Sequence, residues 1–329
     1  MKNIRALFSL MALALGGCET IVEVDTPPHT PRLALTYTLS TQAPTAGYQA
    51  SFPVRNLFVS SSQGVLDSRR LNGRGDATVQ LLDETGQVVE QFRSKARYYG
   101  FNGQDSLYGN YVPLRNLMGE PGRTYTLRAS APGFETLEST LTLPSPPVIE
   151  SAAYVAKQTQ GGFGSYKGRL TVALTDNANT TDYYLAYSRV FDSNGRFWGL
   201  VRRSYDSNGV DGPDINLSLF QLSDARSLYN QHPFSDAGSN GRRLSFGADV
   251  ALQYEGDYDP LNPVRPTPAY LEVVVSSITA DTYRFYQSLL RYYDTDGNPF
   301  AESAPLVSNV RPGYGLFGGA TDATYRIPL

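Results

Sequence analysis

Alternation of apolar and polar residues with a period of two is the feature that most constrains the fold of this chain. In RLALTYTLS (residues 32–40), one face carries Leu33, Leu35, Tyr37 and Leu39. This pattern is typical of a strand with one buried side. Strand-like segments recur at residues 122–130, 137–144, 168–176, 182–191, 195–205, 242–254 and 270–278. The sequence therefore predicts a mainly β protein.

Turn residues join several of these segments. In ATVQLLDETGQVVEQF (residues 77–92), two strand-like runs flank DETG, where Asp leads the turn and Gly closes it. Asp can bond to the backbone two residues on and Gly tolerates positive φ, so the segment predicts a β-hairpin. Two DSNG turns, at 192–195 and 206–209, bracket a further strand and predict a three-stranded meander.

One segment is strongly helical in pattern. TADTYRFYQSLLRYYD (residues 279–294) can be capped by Thr279 or Asp281. Its apolar stripe consists of Phe285, Leu289 and Tyr292. Spacings of four and three place this stripe on one face, so the sequence predicts an amphipathic helix near the C-terminus.

Two other segments carry weaker expectations. INLSLFQLSDARSLYN (residues 215–230) is a short helix candidate. The stretch 296–320 is a tail rich in Gly and Pro that follows the predicted helix. We expect this tail to pack Leu316 and Phe317 against the C-terminal domain, with glycines allowing close backbone approach.

A proline-rich segment divides the chain. LPSPPVIES (residues 143–151) crowds three prolines into a few positions, and proline stiffens linkers and interrupts strands. A length of 329 residues also favours about two domains. We therefore predict an N-terminal β-sandwich at 32–146 and a β-rich domain at 147–329. The fold class expected is two β-sandwiches with one C-terminal amphipathic helix.

The N-terminus predicts export and lipidation. Residues 1–17 have a short basic start and an apolar stretch too short to span a bilayer, as in a signal peptide. LGGC (residues 15–18) resembles a lipobox, and Cys18 is the only cysteine in the chain. We expect acylation of Cys18, with palmitate among the chains attached, and an extended tether over 18–31. An ordinary secretory signal with an incidental cysteine is the alternative.

Composition excludes some functions. Lys and Arg total 28 against 31 Asp and Glu, so the chain lacks the basic surface that nucleic-acid binding requires. Its two histidines are His29, in the tether, and His232, in a polar loop, and no G-x-S-x-G motif is present. We find no catalytic residues and no cofactor motif in the sequence. The chain is expected not to be an enzyme, and a hydrolase is the weaker alternative.

Calcium is the only metal with candidate ligands in the sequence. DSNGVDGPD (residues 206–214) offers Asp206, Asn208, Asp211 and Asp214. Oxygen donors of this kind suit Ca²⁺, but hairpin turns use the same residue types. DTDGNPF (residues 294–300) begins like an EF-hand loop, yet Pro299 stands where glycine is required. No metal site is therefore predicted beyond the weak candidate at 206–214.

Tyrosine is unusually frequent, with 23 residues. In RYYGFNGQDSLYGNY (residues 97–111), Gly and Asn indicate a loop, where exposed aromatic rings could bind a ligand. The candidate ligand-binding residues are Tyr98, Tyr99, Tyr108 and Tyr111. The alternative is that these tyrosines are strand residues, for which Tyr has a high propensity.

The order of these features resembles a known family. LGGC, PRLALT, GDATVQLLDETG, GRTYTLRA, LPSPPVIES, the helix and NPFAE with SNVRPGYGLFG follow one another along the chain. This order resembles the Bacteroidota outer-membrane lipoproteins known as domain of unknown function 4249. The resemblance implies an N-terminal sandwich of the prealbumin-like or carboxypeptidase-regulatory type, and it carries no catalytic residues. The fold class expected for the two sandwich domains is immunoglobulin-like or prealbumin-like.

The resemblance also implies a location and a partner. Such lipoproteins are often encoded beside TonB-dependent receptors, so the expected function is a non-enzymatic accessory in nutrient capture or uptake. A structural or adhesive surface module is the alternative. The outer membrane is the expected location, with the cell surface favoured over the periplasmic face. Surface-exported relatives often carry a charged patch behind the cysteine, and here Glu19 is followed by Thr20 and Ile21.

Overall fold

A computed structural model describes most of the chain. The described residues are 28–42, 52–64, 71, 73–95, 109–158, 166–203, 222–255, 266–295 and 304–329. The chain forms two compact units, of which Arg32–Ser62 with Arg70–Leu329 is the larger. The smaller unit, Met1–Pro31 with Gln63–Arg69, contains few described residues.

The prediction of a mainly β protein is confirmed. The strands are β1 Leu33–Ser40, β2 Leu57–Ser61, β3 Thr78–Leu82, β4 Val88–Ser94, β5 Asn110–Pro113, β6 Thr124–Ser130, β7 Leu137–Thr142, β8 Val148–Gln158, β9 Tyr166–Thr175, β10 Tyr183–Asp192, β11 Phe197–Arg203, β12 Phe234–Ser235, β13 Arg243–Tyr254, β14 Pro268–Ile278 and β15 Tyr314–Pro328. Helix α1 spans Ala280–Thr295, and short 3-10 turns lie at Pro53–Arg55 and Leu228–Asn230.

All of these strands belong to one hydrogen-bonded sheet. Its order is β7-β6-β3-β4-β5-β2-β1-β15-β14-β10-β11-β13-β9-β8, with β12 paired to β10 off this path. Neighbouring strands are antiparallel except β1 and β15, which are parallel. The first hairpin of the predicted meander is found as β10-β11. The strand that pairs with the other edge of β11 is β13, which begins only at Arg243 and follows β12 in the chain. The second of its predicted turns, 206–209, lies outside the described residues.

The first half of the sheet curls around one interior. Strands β1 to β7 direct alternate apolar residues into a first core that includes Leu35, Leu57, Leu81 and Leu127. The far strand β7 returns to the segment before β15, where Glu138 and Arg311 exchange backbone hydrogen bonds of 2.7 and 3.0 Å. The eight neighbouring strands from β7 to β15 in the sheet order therefore bury one face around a shared core. Alternation with a period of two places the apolar residues on that face.

The second half buries both faces of its central strands. Tyr184 and Val273 point into a second core shared with β9 and β13. Their chain neighbours Leu185 and Val274 point the other way, into a third core with helix α1. Successive strand residues face opposite sides, so β10 and β14 need apolar residues at consecutive positions.

Helix α1 confirms the predicted helix within one residue at each end. Thr279 Oγ1 accepts the Thr282 backbone N–H at 3.4 Å, as expected of an N-terminal cap. Phe285 and Leu289 are buried in the third core, and Tyr292 at the end of the stripe is half-buried.

The predicted hairpin is also confirmed. Asp83 Oδ1 accepts the N–H groups of Thr85 and Gln87 at 2.9 and 3.0 Å, and Gly86 has φ +81°. The turn after β10 uses the same chemistry, because Asp192 Oδ1 accepts the Asn194 N–H at 2.9 Å. In both cases an Asp side chain replaces backbone partners that a two-stranded turn cannot supply.

Residues 314–320 of the Gly- and Pro-rich tail begin β15, a strand that the sequence does not predict. Leu316 lies in the third core as an apolar residue should, but Phe317 lies in the first core, among residues of the N-terminal half. The close approach expected of the glycines is confirmed, since a Cβ on Gly313 would lie 2.2 Å from the Leu33 carbonyl oxygen.

The weaker helix prediction is wrong for residues 222–230, which form turns and the 3-10 turn, while 215–221 lie outside the described residues. Asp224 Oδ1 accepts the Arg226 N–H at 2.9 Å. Gln231 Nε2 donates to the carbonyl oxygens of Asp224 and Ser227. These side-chain bonds occupy backbone groups that helical hydrogen bonds would need.

A buried carboxylate fixes the segment after β5. Glu90, in β4, is 1% exposed, and its two oxygens accept the backbone N–H groups of Gln91, Leu114, Arg115 and Leu117 at 2.8–3.2 Å. A carboxylate can accept from several donors at once, and the Leu114 N–H is shared between Glu90 and the Gln91 carbonyl oxygen, which lies 2.9 Å away.

We expect Glu90→Ala to lower the free energy of unfolding by about 3 kcal/mol, because it removes the hydrogen bonds that this buried carboxylate accepts from the backbone N–H groups of Gln91, Arg115 and Leu117. Urea denaturation measures the change. Gln91→Ala, at an exposed position of the same strand, is the control and should cost no more than about 0.5 kcal/mol. Equal losses in the two variants would contradict this role of Glu90.

Candidate functional site

Three aspartates from separate parts of the chain meet at one end of the sheet. Asp176 directly follows β9, Asp182 directly precedes β10 and Asp236 directly follows β12. The pairing of Tyr183 with Ser235 in β10 and β12 brings the last two together. One carboxylate oxygen of each residue lies within 4.8 Å of the other two, and we call this group the acidic cluster.

Hydrogen bonds hold the carboxylates of the acidic cluster in place. Asp176 accepts the Tyr184 hydroxyl at 2.7 Å through Oδ1 and the Gly241 N–H at 2.7 Å through Oδ2. Asp236 Oδ2 accepts the Asp182 N–H at 2.9 Å, and Asp182 Oδ2 accepts the Thr180 hydroxyl at 2.7 Å. The cluster therefore ties the 176–182 loop to the turn that follows β12.

One oxygen of the cluster has no partner. Asp236 is 1% exposed and Asp176 is 8% exposed, whereas Asp182 is half-buried. Asp236 Oδ1 is buried and makes no hydrogen bond. Buried carboxylate oxygens normally have a hydrogen-bond partner. One without a partner either destabilises the fold or contacts a bound ligand.

Three carboxylates this close together repel one another when all are ionised and no cation lies between them. Burial raises the pKa of Asp236, and the negative charges of Asp176 and Asp182 raise it further. Burial and the hydrogen bond to Asp176 likewise raise the pKa of Tyr184. Throughout the described ranges, no Lys or Arg forms an ion pair with these aspartates. Hard oxygen donors of like charge in a partly dry site can hold a cation.

Among the candidate site residues proposed from the sequence, the structure describes only Tyr111. Cys18, Tyr98, Tyr99, Tyr108 and the calcium candidates Asp206, Asn208, Asp211 and Asp214 fall outside the described residues. Tyr111 is described, and it is 3% exposed within the first core. Its hydroxyl accepts the Ala77 N–H at 2.8 Å. This burial contradicts an exposed binding face at Tyr111 and supports the alternative of a strand residue.

Sequence reasoning missed the acidic cluster. The loops TDNANTTD (residues 175–182) and FSDAGSNG (residues 234–241) have the Asp, Asn and Gly content of ordinary turns. The segment 206–214 has the same Asp, Asn and Gly content, so composition does not distinguish these two loops from other turns of the chain. No local pattern indicates that two such loops, far apart in the sequence, share one end of a sheet.

Within the described residues, no helix has both the length and the apolar character that crossing a membrane requires.

Comparison with known proteins identifies the family of the chain. No curated protein matches the chain. A solved structure described as "Biofilm associated protein - BSP domain" aligns with 93% of this chain and 61% of that chain, at 6% identity and a TM-score of 0.18. A score this low carries no argument about fold or function. A family model does match residues 54–326, which is most of the chain. The chain therefore belongs to the family described as domain of unknown function (DUF4249).

Proposed function

We propose that this protein is a lipid-anchored, non-enzymatic outer-membrane protein that assists a TonB-dependent receptor in nutrient capture or uptake. The observation that carries the proposal is LGGC at residues 15–18, with the chain's only cysteine directly behind an apolar leader. The order of the sequence motifs supports it as well, because it resembles Bacteroidota lipoproteins that are often encoded beside such receptors.

The anchor follows from simple energetics. Each buried CH₂ of an acyl chain contributes about 0.8 kcal/mol, so several chains on Cys18 give stable attachment where one would be marginal. The Pro-rich tether at 18–31 would then separate the lipid from the folded unit.

We expect Cys18→Ala to reduce incorporation of labelled palmitate at least about tenfold and to release the protein from the membrane fraction, because the thioether site is gone. Labelling followed by fractionation measures both effects. Ser9→Ala, within the leader, is the control and should keep wild-type labelling. Undiminished labelling of the Cys18→Ala protein would contradict lipidation at this residue.

The receptor partnership is tested by mild detergent extraction. A tagged chain should retain the TonB-dependent receptor encoded next to it, and clean separation of the two proteins would contradict the proposal. If deletion of the gene leaves nutrient uptake intact but reduces cell attachment, the structural or adhesive alternative is the better explanation. Biotinylation of intact cells decides between the cell surface, which we favour, and the periplasmic face.

We also infer that the two halves of the sheet are two sandwich domains of the immunoglobulin-like or prealbumin-like type. Two facts support this. The first core is built mainly by β1 to β7, whereas the second is built by β9 to β14 and the end of β15. The proline-rich segment 143–151 lies between β7 and the body of β8.

A further inference from the structure

We infer that the acidic cluster of Asp176, Asp182 and Asp236 is a calcium-binding site. Two independent observations point to a ligand there. The first is the convergence of three carboxylate oxygens within 4.8 Å. The second is Asp236 Oδ1, a buried oxygen without any hydrogen-bond partner on a residue that is 1% exposed. The inference is independent of the proposed function.

A bound cation would neutralise the negative charge of the acidic cluster, which the hydrogen bonds of the protein leave uncompensated. The other oxygen of Asp236 is bonded to the Asp182 N–H, and Asp176 uses both of its oxygens with Tyr184 and Gly241. These bonds orient the carboxylates but do not neutralise their charge. A single divalent ion between them would offset the repulsion and give Asp236 Oδ1 a ligand.

The donor set favours calcium among divalent ions. All three side chains offer oxygen, and zinc prefers sites with nitrogen or sulfur donors. Calcium–oxygen distances of about 2.3–2.6 Å allow two ligands up to about 5 Å apart. Magnesium binds at about 2.0–2.1 Å and demands a tighter, regular octahedron. Oxygens spread within 4.8 Å suit the larger and more tolerant ion.

The position of the site determines what the ion would do. Asp176 and Asp182 are the two ends of the β9–β10 connection, and Asp236 begins the turn that leads to β13. Gly241, bonded to Asp176, is the last glycine of that turn. Bound calcium would therefore brace two loops against each other and raise the stability of this end of the sheet.

The test uses the purified full chain, freed of metal with chelator. Calcium titration by calorimetry and thermal unfolding should show binding and a rise in Tm of several degrees. Asp236→Asn, which keeps an acceptor for the Asp182 N–H, should lower calcium affinity at least about tenfold and abolish the Tm shift. Wild-type affinity and Tm shift in Asp236→Asn would overturn the inference, as would absence of any calcium response in the unmodified chain.

Controls separate this site from other acidic groups. Asp249→Asn removes a half-buried carboxylate that pairs with Lys157 and Arg169, and it should leave calcium affinity unchanged. Asp211→Asn tests the segment 206–214, and loss of binding in that variant alone would overturn the assignment to the acidic cluster. An equal Tm shift with magnesium would overturn the choice of calcium.

A second readout protects against variants that fail to fold. Asp182→Asn changes a half-buried position and should also weaken calcium binding, with circular dichroism confirming the native fold. Terbium(III), a calcium mimic that is sensitised by nearby tyrosine, should luminesce in the unmodified chain because Tyr184 bonds directly to Asp176. Calcium should quench that emission, and Tyr184→Phe should reduce it. Emission that calcium does not displace would overturn the inference.

Discussion

A chain ending at Ser308 is expected to lose its cooperative unfolding transition. The deletion removes β15, which pairs with β1 on one side and β14 on the other and lies at the centre of the sheet order. It also removes Phe317 from the first core and Leu316 from the third. Losing one such residue costs about 3–5 kcal/mol, and domains are stable by only about 5–15 kcal/mol. Urea denaturation followed by circular dichroism measures the result.

A point variant tests the same strand more selectively. Gly315 in β15 has φ +117°, and a Cβ there would lie 1.7 Å from the carbonyl oxygen of Leu35 in β1. Gly315→Ala must therefore push two paired strands apart, and we expect a loss of more than about 3 kcal/mol. Gly86→Ala is the matched control, since Gly86 has φ +81° with nothing within 4 Å of a Cβ, and it should cost only about 1–2 kcal/mol. Equal losses would contradict the close approach of β15 to β1.

Local chemistry explains which parts of the fold could be predicted. The hairpin at Asp83 depends on one side chain that bonds to its own turn, and the strand at 33–40 depends on alternation alone. The signals for helix α1 are the N-cap at Thr279 and the apolar face formed by Phe285, Leu289 and Tyr292, all within one short segment of the chain. Each of these signals lies within one short segment, so the sequence displays it directly.

β15 could not be predicted in this way. Glycine has a low strand propensity, and Gly315, Gly318 and Gly319 stand at the start of this strand. They are required because Leu35, Thr38 and Leu143 leave no space for side chains. That constraint comes from residues that are distant in the sequence, so only the assembled sheet reveals it. The acidic cluster was missed for the same reason, because β10 and β12 must pair before Asp182 and Asp236 become neighbours.

A buried ion pair connects the elements around β15. Asp322 accepts two hydrogen bonds from Arg55, at 2.6 and 2.9 Å, and the side chains are 0% and 8% exposed. Ser40 in β1 and Ser276 in β14 bond to both partners. The guanidinium also lies 4.3 Å from the centre of the Phe52 ring. The network therefore joins a 3-10 turn and three adjacent strands.

We expect Arg55→Met to lower the free energy of unfolding by about 3–5 kcal/mol at neutral pH, because it leaves the Asp322 carboxylate buried without a counter-charge. Urea denaturation measures the loss. Arg128→Met is the matched control, since its pair with Glu138 is about half exposed, and it should cost no more than about 1 kcal/mol. The double variant Arg55→Met with Asp322→Leu should be more stable than Arg55→Met alone, because no buried charge remains.

The same pair gives stability a defined dependence on pH. Burial alone would raise the pKa of Asp322, but the charge and hydrogen bonds of Arg55 outweigh burial and hold that pKa below its usual value of 3.8. A carboxyl with a lowered pKa in the folded state stabilises the fold above pH about 4, and this stabilisation is lost as the pH falls below that value. Unfolding free energies measured from pH 5 to pH 2 should therefore fall more steeply in the unmodified chain than in Asp322→Asn. Parallel curves would show that Asp322 is not among the carboxylates that acid must protonate to unfold the protein.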